Sequence, residues 1–542
     1  MRCGCRWVVA LALVLSCLPA YGQFDGNAAA RAAFDEGENA RKNGRYAEAA
    51  DDYQKAISLD PNFAQAYEQY QFVIFPAKPL DKGGKTSESR QAAKAESDKI
   101  TQSLVQKYGD LSQQHPDKAT YRWALAQLYD ESNPLRAEEY CQQAIDLEPN
   151  FAPGYECLAG VAGLRGDEKQ ELALRCKAME LQPGSADAAF YCFFSLQKDP
   201  DAYRRALMEL IEKFPDSPRA AQALYWYAEN QKTDASKIEA FERLYQRYPP
   251  AKFDWSVNGM EELLALFDGT DPPKAKALAH ELVKADPEEK EWVAYASYED
   301  AMAKAEQAAN DHELSEALAA LQGIKSPGYG FDMRREELFS AHVLDLQGKT
   351  ADAYQALLAS YAKHPTGEIY NALAAYGVKL GKSSEEMEAA IWSAIKANST
   401  AAIPFSLPSF SDGKQVSLAD YRGHVVIVDF WFPNCGPCRA AFPHVRNLVG
   451  KYKDKGLVVL AINSMEGQEA FVLPFLKNKG YDFTPIKGTA DWADDVYHVH
   501  GFPSTFLIGK DGRVYFRPHI YNELEEHATE LEVEELLAHS GQ

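Results

Sequence analysis

The feature that most restricts the fold of this chain is an apolar segment that ends at two closely spaced cysteines and leads into a helical pattern. Residues 425–428 are four consecutive β-branched residues, as expected of a strand that is covered on both faces. The residues after Cys438 carry apolar side chains at helical spacing, which places Cys435 and Cys438 on the first turn of a helix. Free backbone N–H groups and the helix dipole favour an anion there, so Cys435 is the better candidate for a reactive thiolate.

The residues around this pair resemble the active site of a known family. Residues 431–438 read WFPNCGPC, which is similar to the WAxWCGPC active site of thioredoxins. Residues 403–421 (IPFSLPSFSDGKQVSLADY) resemble the opening of thioredoxin-like proteins of the TlpA/ResA type. The resemblance covers about residues 401–542 and implies an α/β thioredoxin-like domain with thiol–disulfide oxidoreductase activity. It implies neither a cofactor nor a metal ion.

The resemblance also implies a role for individual residues. Cys435 matches the attacking thiol of the family, Cys438 matches the resolving thiol, and the two would form a redox-active disulfide. Asp429 matches the buried acid that assists proton transfer, and Pro503 matches the cis-proline that turns backbone toward the sulfur atoms. The supporting positions around them are Trp431, Gly436, Pro437 and Pro443.

Two positions depart from the thioredoxin pattern. Asn434 stands where thioredoxin has a second tryptophan, and Ala461 stands where thioredoxin has a buried lysine beside its acid. Both departures change the surroundings that set the thiol pKa, so the direction of electron flow stays open. The dipeptide Gly436-Pro437 is that of reducing thioredoxins and favours a reductase.

Three other interpretations compete with a dithiol reductase. Half of a zinc site is one, but neither a second CxxC nor a pair of histidines at H-x3-H spacing lies nearby. A peroxidase of the peroxiredoxin kind shares the fold, but Pro433 and Asn434 replace the threonine that this family has before its cysteine. In the third, the helical region is a scaffold and the thioredoxin-like domain only docks partners. Docking alone would require neither the cysteines nor the matching acid and proline, so their presence argues against this interpretation.

A repeated helical pattern covers most of the remaining chain. Proline residues that end helices recur 34 residues apart, at Pro149 and Pro183 and again at Pro215 and Pro249. The first unit has the small and aromatic residues of a tetratricopeptide (TPR) repeat, namely Gly37, Gly44, Tyr46, Ala49, Tyr53, Ala56 and Pro61. We therefore predict an all-α TPR-like helical solenoid over residues 23–400. Such a solenoid offers a groove for a peptide or protein ligand, or it serves as a spacer.

The repeat spacing slips between Pro61 and Pro149. Residues 76–97 include a polar stretch with Pro, Gly and Ser, which predicts a loop that absorbs the slip. This loop is either a lid over the concave face or a tolerated insertion.

Four cysteines in the repeat region form a pattern of their own. Cys141 and Cys157 are 16 residues apart, as are Cys176 and Cys192, and the second pair follows the first by 35 residues. In repeat register each pair joins the second helix of one unit to the first helix of the next. Disulfides Cys141–Cys157 and Cys176–Cys192 are one hypothesis, which requires an oxidising compartment. The other is that four small side chains fill a helical core.

The first 22 residues have the pattern of a secretory signal. Arg2 and Arg6 precede an apolar stretch, and Ala20-Tyr21-Gly22 provides a small-x-small cleavage site. The stretch is too short to span a membrane, and the alternative is a lipoprotein signal in which Cys17 is lipidated. We expect an exported protein, periplasmic if bacterial. Its expected partners are disulfide-containing protein substrates and an upstream thiol donor, whereas the net charge of −22 argues against nucleic acid.

Overall fold

The structure is a computed structural model that describes residues 26–74, 87–130, 132–328, 331–518 and 523–539. The predicted signal in residues 1–22, with Cys17, lies outside these ranges, and so do residues 76–86 of the segment that holds the predicted polar loop. Helix begins at Ser87, where the predicted polar stretch ends, so the rest of the segment 76–97 is helical. Residues 88–96 include three alanines and two glutamates, which favour helix.

Between residues 28 and 398 the described residues form helices, and many helices that are consecutive in the chain pack against each other. These helices are α1 (Ala28–Lys42), α2 (Tyr46–Leu59), α3 (Ala64–Ile74), α4 (Ser87–Gln114), α5 (Ala119–Tyr129), α6 (Pro134–Leu147), α7 (Ala152–Leu164), α8 (Glu168–Leu181), α9 (Ala186–Phe194), α10 (Pro200–Lys213), α11 (Pro218–Glu229), α12 (Asp234–Arg247), α13 (Asp254–Thr270), α14 (Pro272–Ala285), α15 (Lys290–Asn310), α16 (Leu314–Leu321), α17 (Arg334–Leu346), α18 (Thr350–Tyr361), α19 (Gly367–Lys379) and α20 (Ser384–Asn398). The predicted TPR-like helical region is confirmed.

The repeat signature explains why these helices pair. A Cβ atom at Gly37 of α1 would lie only 2.7 Å from the ring of Tyr53 on α2, so glycine is needed where the two helices meet. Ala49 and Ala56 are fully buried beside Tyr53 on the same helix. The prolines follow the ends of helices, as Pro149 follows α6, because proline disfavours helix for the residue before it.

From residue 400 onward the chain forms strands that alternate with helices. The strands are β1 (Thr400–Ala401), β2 (Ser406–Pro408), β3 (Gln415–Ser417), β4 (Val425–Trp431), β5 (Leu457–Asn463), β6 (Thr484–Lys487), β7 (Ser504–Ile508) and β8 (Arg513–Phe516), and the helices are α21 (Gly436–Tyr452), α22 (Glu469–Lys479), α23 (Ala490–Tyr497) and α24 (Glu523–His539). One mixed sheet has the order β1-β8-β7-β4-β5-β6, and β2 pairs with β3 separately. The predicted fold class, a helical solenoid followed by an α/β thioredoxin-like domain, is confirmed.

The described residues divide into two compact units. One unit holds the residues as far as Ser195 together with Met465–Lys479 and Thr489–Gly501, and the other holds Leu196–Ser464, Gly480–Gly488 and the residues from Phe502 onward. In the first unit, α22 packs on α7 through Phe471, which contacts Val161 and Leu164. The Arg165 guanidinium lies 5.4 Å from the centre of the Phe471 ring.

In the second unit, α24 packs beside α21. The Tyr452 hydroxyl of α21 lies within hydrogen-bond distance of Glu530 Oε1 (3.0 Å) and Glu534 Oε1 (2.5 Å) of α24, and His444 Nδ1 lies 3.5 Å from Glu526. These contacts join the last helix of the chain to the helix that begins at the two cysteines. Within the described ranges, no helix has the length and apolar character needed to cross a bilayer.

Candidate active site

The central strand β4 positions the site. It is buried along its whole length and lies between β5, with which it runs parallel, and β7, with which it runs antiparallel. A continuous β-branched run suits a strand that is covered on both faces. The chain leaves β4 at Phe432 and reaches Cys435 three residues later, so the cysteines emerge at the middle of one sheet edge.

Cys435 and Cys438 occupy the first turn of α21 and are joined as a disulfide, with Cα atoms 5.2 Å apart. Cys435 is the N-cap residue, and its Sγ accepts a hydrogen bond from the Cys438 backbone N–H at 3.1 Å. Pro437 lies in the first turn, where a missing N–H costs no helical hydrogen bond. Both sulfur-bearing residues are buried, whereas the adjoining Asn434 and Gly436 are exposed. A thiolate at Cys435 would therefore be stabilised by the positive end of the helix.

The loop before β7 reaches the same sheet edge. The peptide bond between Phe502 and Pro503 is cis, and Ser504, the next residue, pairs with Phe430 near the end of β4. The rings of Phe432 and Phe502 meet edge to face with centres 5.1 Å apart. The structure thus brings together the cysteine segment and the proline loop that are 68 residues apart in the sequence, at Cys435 and Pro503.

Asp429 lies on the central strand β4, six residues before Cys435 in the sequence. Its side chain is only 1% exposed, and it faces Ala461 on β5 and Thr505 on β7. Thr505 Oγ1 donates a hydrogen bond of 3.2 Å to Asp429 Oδ1. Burial raises the pKa of Asp429 to about 7, while the hydrogen bond from Thr505 acts in the opposite direction. A carboxyl group with such a pKa can both accept and release a proton near neutral pH.

Two of the supporting residues, Trp431 and Pro443, lie in β4 and in α21. Trp431 is fully buried, and its ring lies 4.9 Å from that of Phe442 on α21. Pro443 lies within α21, where it removes one helical N–H donor. The contact between Trp431 and Phe442 packs α21 against the end of β4.

The four cysteines of the repeat region lie in the other unit. Cys141 on α6 is joined to Cys157 on α7, with Cα atoms 6.2 Å apart. Cys176 on α8 is joined to Cys192 on α9, with Cα atoms 4.7 Å apart. Each pair therefore connects two consecutive helices of the repeat region.

Thr505 is the site residue that sequence reasoning missed. It carries no motif of its own, and its relation to Asp429 depends on the antiparallel register of β4 and β7. The one local signal is its position two residues after Pro503.

Comparison with known proteins gives two family matches. Residues 399–517 match the AhpC/TSA family, and residues 30–63 match the tetratricopeptide repeat. The chain is 35% identical over 104 residues to the thiol-disulfide oxidoreductase ResA of Bacillus subtilis (strain 168), a match that covers 19% of this chain and 58% of ResA. ResA of Geobacillus kaustophilus (strain HTA426) is 35% identical over 102 residues, again 19% of this chain and 58% of the relative. The chain thus spans under three fifths of the length of these curated relatives.

Among solved structures, the chain is similar to one from Chlorobium tepidum that is assigned provisionally as a thiol:disulfide interchange protein DsbE. The sequences are 32% identical, and the match covers 26% of this chain and 97% of that one with a TM-score of 0.24. The family matches and the sheet order together show that residues 399–517 form a thioredoxin-like domain, which matches the AhpC/TSA family and is similar to ResA. It follows a helical region in which residues 30–63 match the tetratricopeptide repeat.

Proposed function

We propose that this chain is an exported thiol–disulfide oxidoreductase that reduces disulfides of protein substrates through Cys435 and Cys438. The observation that carries the proposal is the meeting of a cysteine pair on the first turn of α21 with the cis-proline loop at Pro503, at one edge of the sheet. The names of the ResA relatives, thiol-disulfide oxidoreductases, support the same activity.

The reaction has two displacement steps. The Cys435 thiolate attacks one sulfur of the substrate disulfide, so a bond between Cys435 and the substrate forms while the substrate S–S bond breaks and its other sulfur leaves as a thiolate. Cys438 then gives its proton to Asp429 and attacks Cys435 Sγ, which closes the Cys435–Cys438 disulfide and releases the second substrate thiolate. The substrate gains two electrons, and a dithiol donor then reduces the Cys435–Cys438 disulfide back to two thiols. The backbone beside Pro503 would receive the substrate chain.

The two parts of the chain have separate tasks in this proposal. Residues 23–400 would bind a peptide or protein ligand, and residues 401–542 would carry the redox chemistry. Gly436-Pro437 supports reduction as the direction. The alternative is a scaffold in which the thioredoxin-like domain serves docking only.

We also propose that Cys141–Cys157 and Cys176–Cys192 are structural disulfides of the repeat region. The pattern of residues 1–22 and these four paired cysteines support export to an oxidising compartment, with lipidation of Cys17 as the alternative mode of export. Peptide mapping of the secreted protein under non-reducing conditions should recover both pairs as linked peptides. Free thiols at all four positions would contradict the pairing.

The activity test uses the full chain with insulin as substrate and dithiothreitol as thiol donor. The protein should accelerate the precipitation of reduced insulin, because the donor keeps Cys435 and Cys438 reduced. The matched control is the double variant Cys435→Ser/Cys438→Ser, which retains the other cysteine pairs and should match the uncatalysed rate. Equal rates for the two proteins would exclude the reductase. Consumption of hydrogen peroxide by the wild-type protein alone would instead indicate a peroxidase.

A further inference from the structure

Asp429 has unusually little support for a negative charge. Thr505 Oγ1 is the one hydrogen-bond partner that the structure gives its side chain among the described residues. Both residues are buried, with exposed fractions of 1% for Asp429 and 7% for Thr505. A buried carboxylate without compensating hydrogen bonds or cations takes up a proton instead, so the hydroxyl has a large influence on its ionisation.

The other neighbours of Asp429 do not replace this hydroxyl. On β5 the facing residue is Ala461, whose methyl group can neither donate a hydrogen bond nor carry charge. Helix α24 packs against β4 and carries the buried Glu532, and α21 carries the half-buried His444. Neither of these titratable groups contributes to the shift in the pKa of Asp429, which arises from burial and from Thr505.

We propose that Thr505 is a positioning residue for the resolving step: its hydroxyl keeps the Asp429 carboxylate ionised and oriented to accept the proton of the Cys438 thiol. This inference rests on the proposed function, because it concerns the second displacement of that reaction. Thr505 lies two residues after Pro503, so the strand that supplies the hydroxyl begins at the loop that would receive the substrate.

The chemistry of the step explains why the hydroxyl matters. In the mixed disulfide, the proton of the Cys438 thiol moves to the Asp429 carboxylate. The Cys438 sulfur then bonds to Cys435 Sγ, while the bond from Cys435 to the substrate breaks and the substrate sulfur leaves with the electron pair. A protonated Asp429 cannot accept the proton, so the resolving rate should follow the ionised fraction of this carboxyl.

The test separates the two steps in one reaction. The full chain is reduced at Cys435 and Cys438 with the cysteine pairs of the repeat region left intact, and is then mixed with excess 5,5′-dithiobis(2-nitrobenzoate). The reagent releases one coloured thiolate when Cys435 attacks and a second when Cys438 resolves. In the wild-type protein, the rate of the second release should increase with pH and reach half of its maximum near pH 7. This pH is the midpoint of the profile. The Thr505→Val variant keeps the shape of the side chain but removes the hydroxyl, so this midpoint should rise by about one to two pH units, the effect of losing a hydrogen bond to a charged group. At pH 7 the second release should be about tenfold slower, while the first release is unchanged.

Three further proteins make the result decisive. Thr505→Ser restores the hydroxyl and should restore the midpoint, and Thr505→Ala removes it without a larger apolar group if the valine variant does not fold. Thr120→Val removes a buried hydroxyl from α5 in the repeat region and should leave both releases unchanged. A variant without the Thr505 hydroxyl whose midpoint stays at the wild-type pH, even if the rate falls evenly at every pH, would overturn the inference. A wild-type protein that shows no first release would contradict the proposed function itself.

Discussion

Replacing Cys438 with serine should turn the protein into a trap for disulfide substrates, whereas replacing Cys435 with serine should leave it inert. The first displacement needs only the Cys435 thiolate at the N-terminus of α21, so the Cys438→Ser variant should still attack a substrate. It should then accumulate the mixed disulfide, because no second thiol is in place to displace the substrate. The Cys435→Ser variant loses the attacking sulfur, and we expect at least a thousandfold loss of the first step.

The measurement is the mass of each reduced variant after mixing with oxidised insulin. With the cysteine pairs of the repeat region intact, Cys438→Ser should gain one covalently bound insulin molecule, whose two chains stay joined by the remaining interchain disulfide. Dithiothreitol should remove this adduct, and Cys435→Ser should keep its own mass. Iodoacetamide treatment before mixing provides the control, since it should block the adduct in Cys438→Ser. Equal adducts in both variants would mean that the roles assigned to the two cysteines are wrong.

Asp429→Asn should make the thioredoxin-like domain more stable and slower at the same time. Burial raises the pKa of this carboxyl from 3.8 to about 7, so the native state holds a proton that the unfolded state releases between these pH values. Stability is therefore lost as pH rises from about 4, and the loss is complete above pH 7. A shift of about three units corresponds to about 4 kcal/mol, which sets the upper limit of the gain for the neutral amide at pH 8.

The catalytic loss in this variant has a separate origin. Asparagine cannot accept the Cys438 proton, so the resolving step should slow by about a hundredfold or more, the usual contribution of a general base. Hydrogen exchange of the β4 amides, corrected for the intrinsic pH dependence of exchange, measures the local stability in the intact chain. Asp429→Asn should protect these amides more than the wild type at pH 8 and equally at pH 4. A variant that is destabilised equally at both pH values would show that burial of the charged acid carries no such cost.

The parts of the fold that follow from local patterns were predictable. The β-branched run of β4 and the cysteines on the next helical turn lie within about 14 residues of each other, and their chemistry is evident from that segment alone. The helical region was predictable because the spacing of its prolines and small residues recurs. Both patterns depend on residues that are near neighbours in sequence or in the repeat.

The parts that depend on distant pairing were not predictable. Strand β1 is two residues long and β6 only four, which is too short for an alternating pattern to appear. Helix α23 has eight residues, which are too few for helical periodicity to appear. Thr505 and Asp429 are 76 residues apart in the sequence, and the hydrogen bond between them depends on the register of β7 with β4. The grouping of α22 with the repeat helices α7 and α8 likewise depends on tertiary packing.

The equilibrium reduction potential of the Cys435–Cys438 pair tests the central claim most directly. The full chain would be equilibrated in a series of oxidised and reduced dithiothreitol, and the peptide that carries both cysteines followed by alkylation and mass, so that the other cysteine pairs do not contribute. A reductase should have a potential near that of thioredoxin, about −270 mV. A potential near −120 mV would mean an oxidant that inserts disulfides, and a pair that never closes into a disulfide would contradict the redox function altogether.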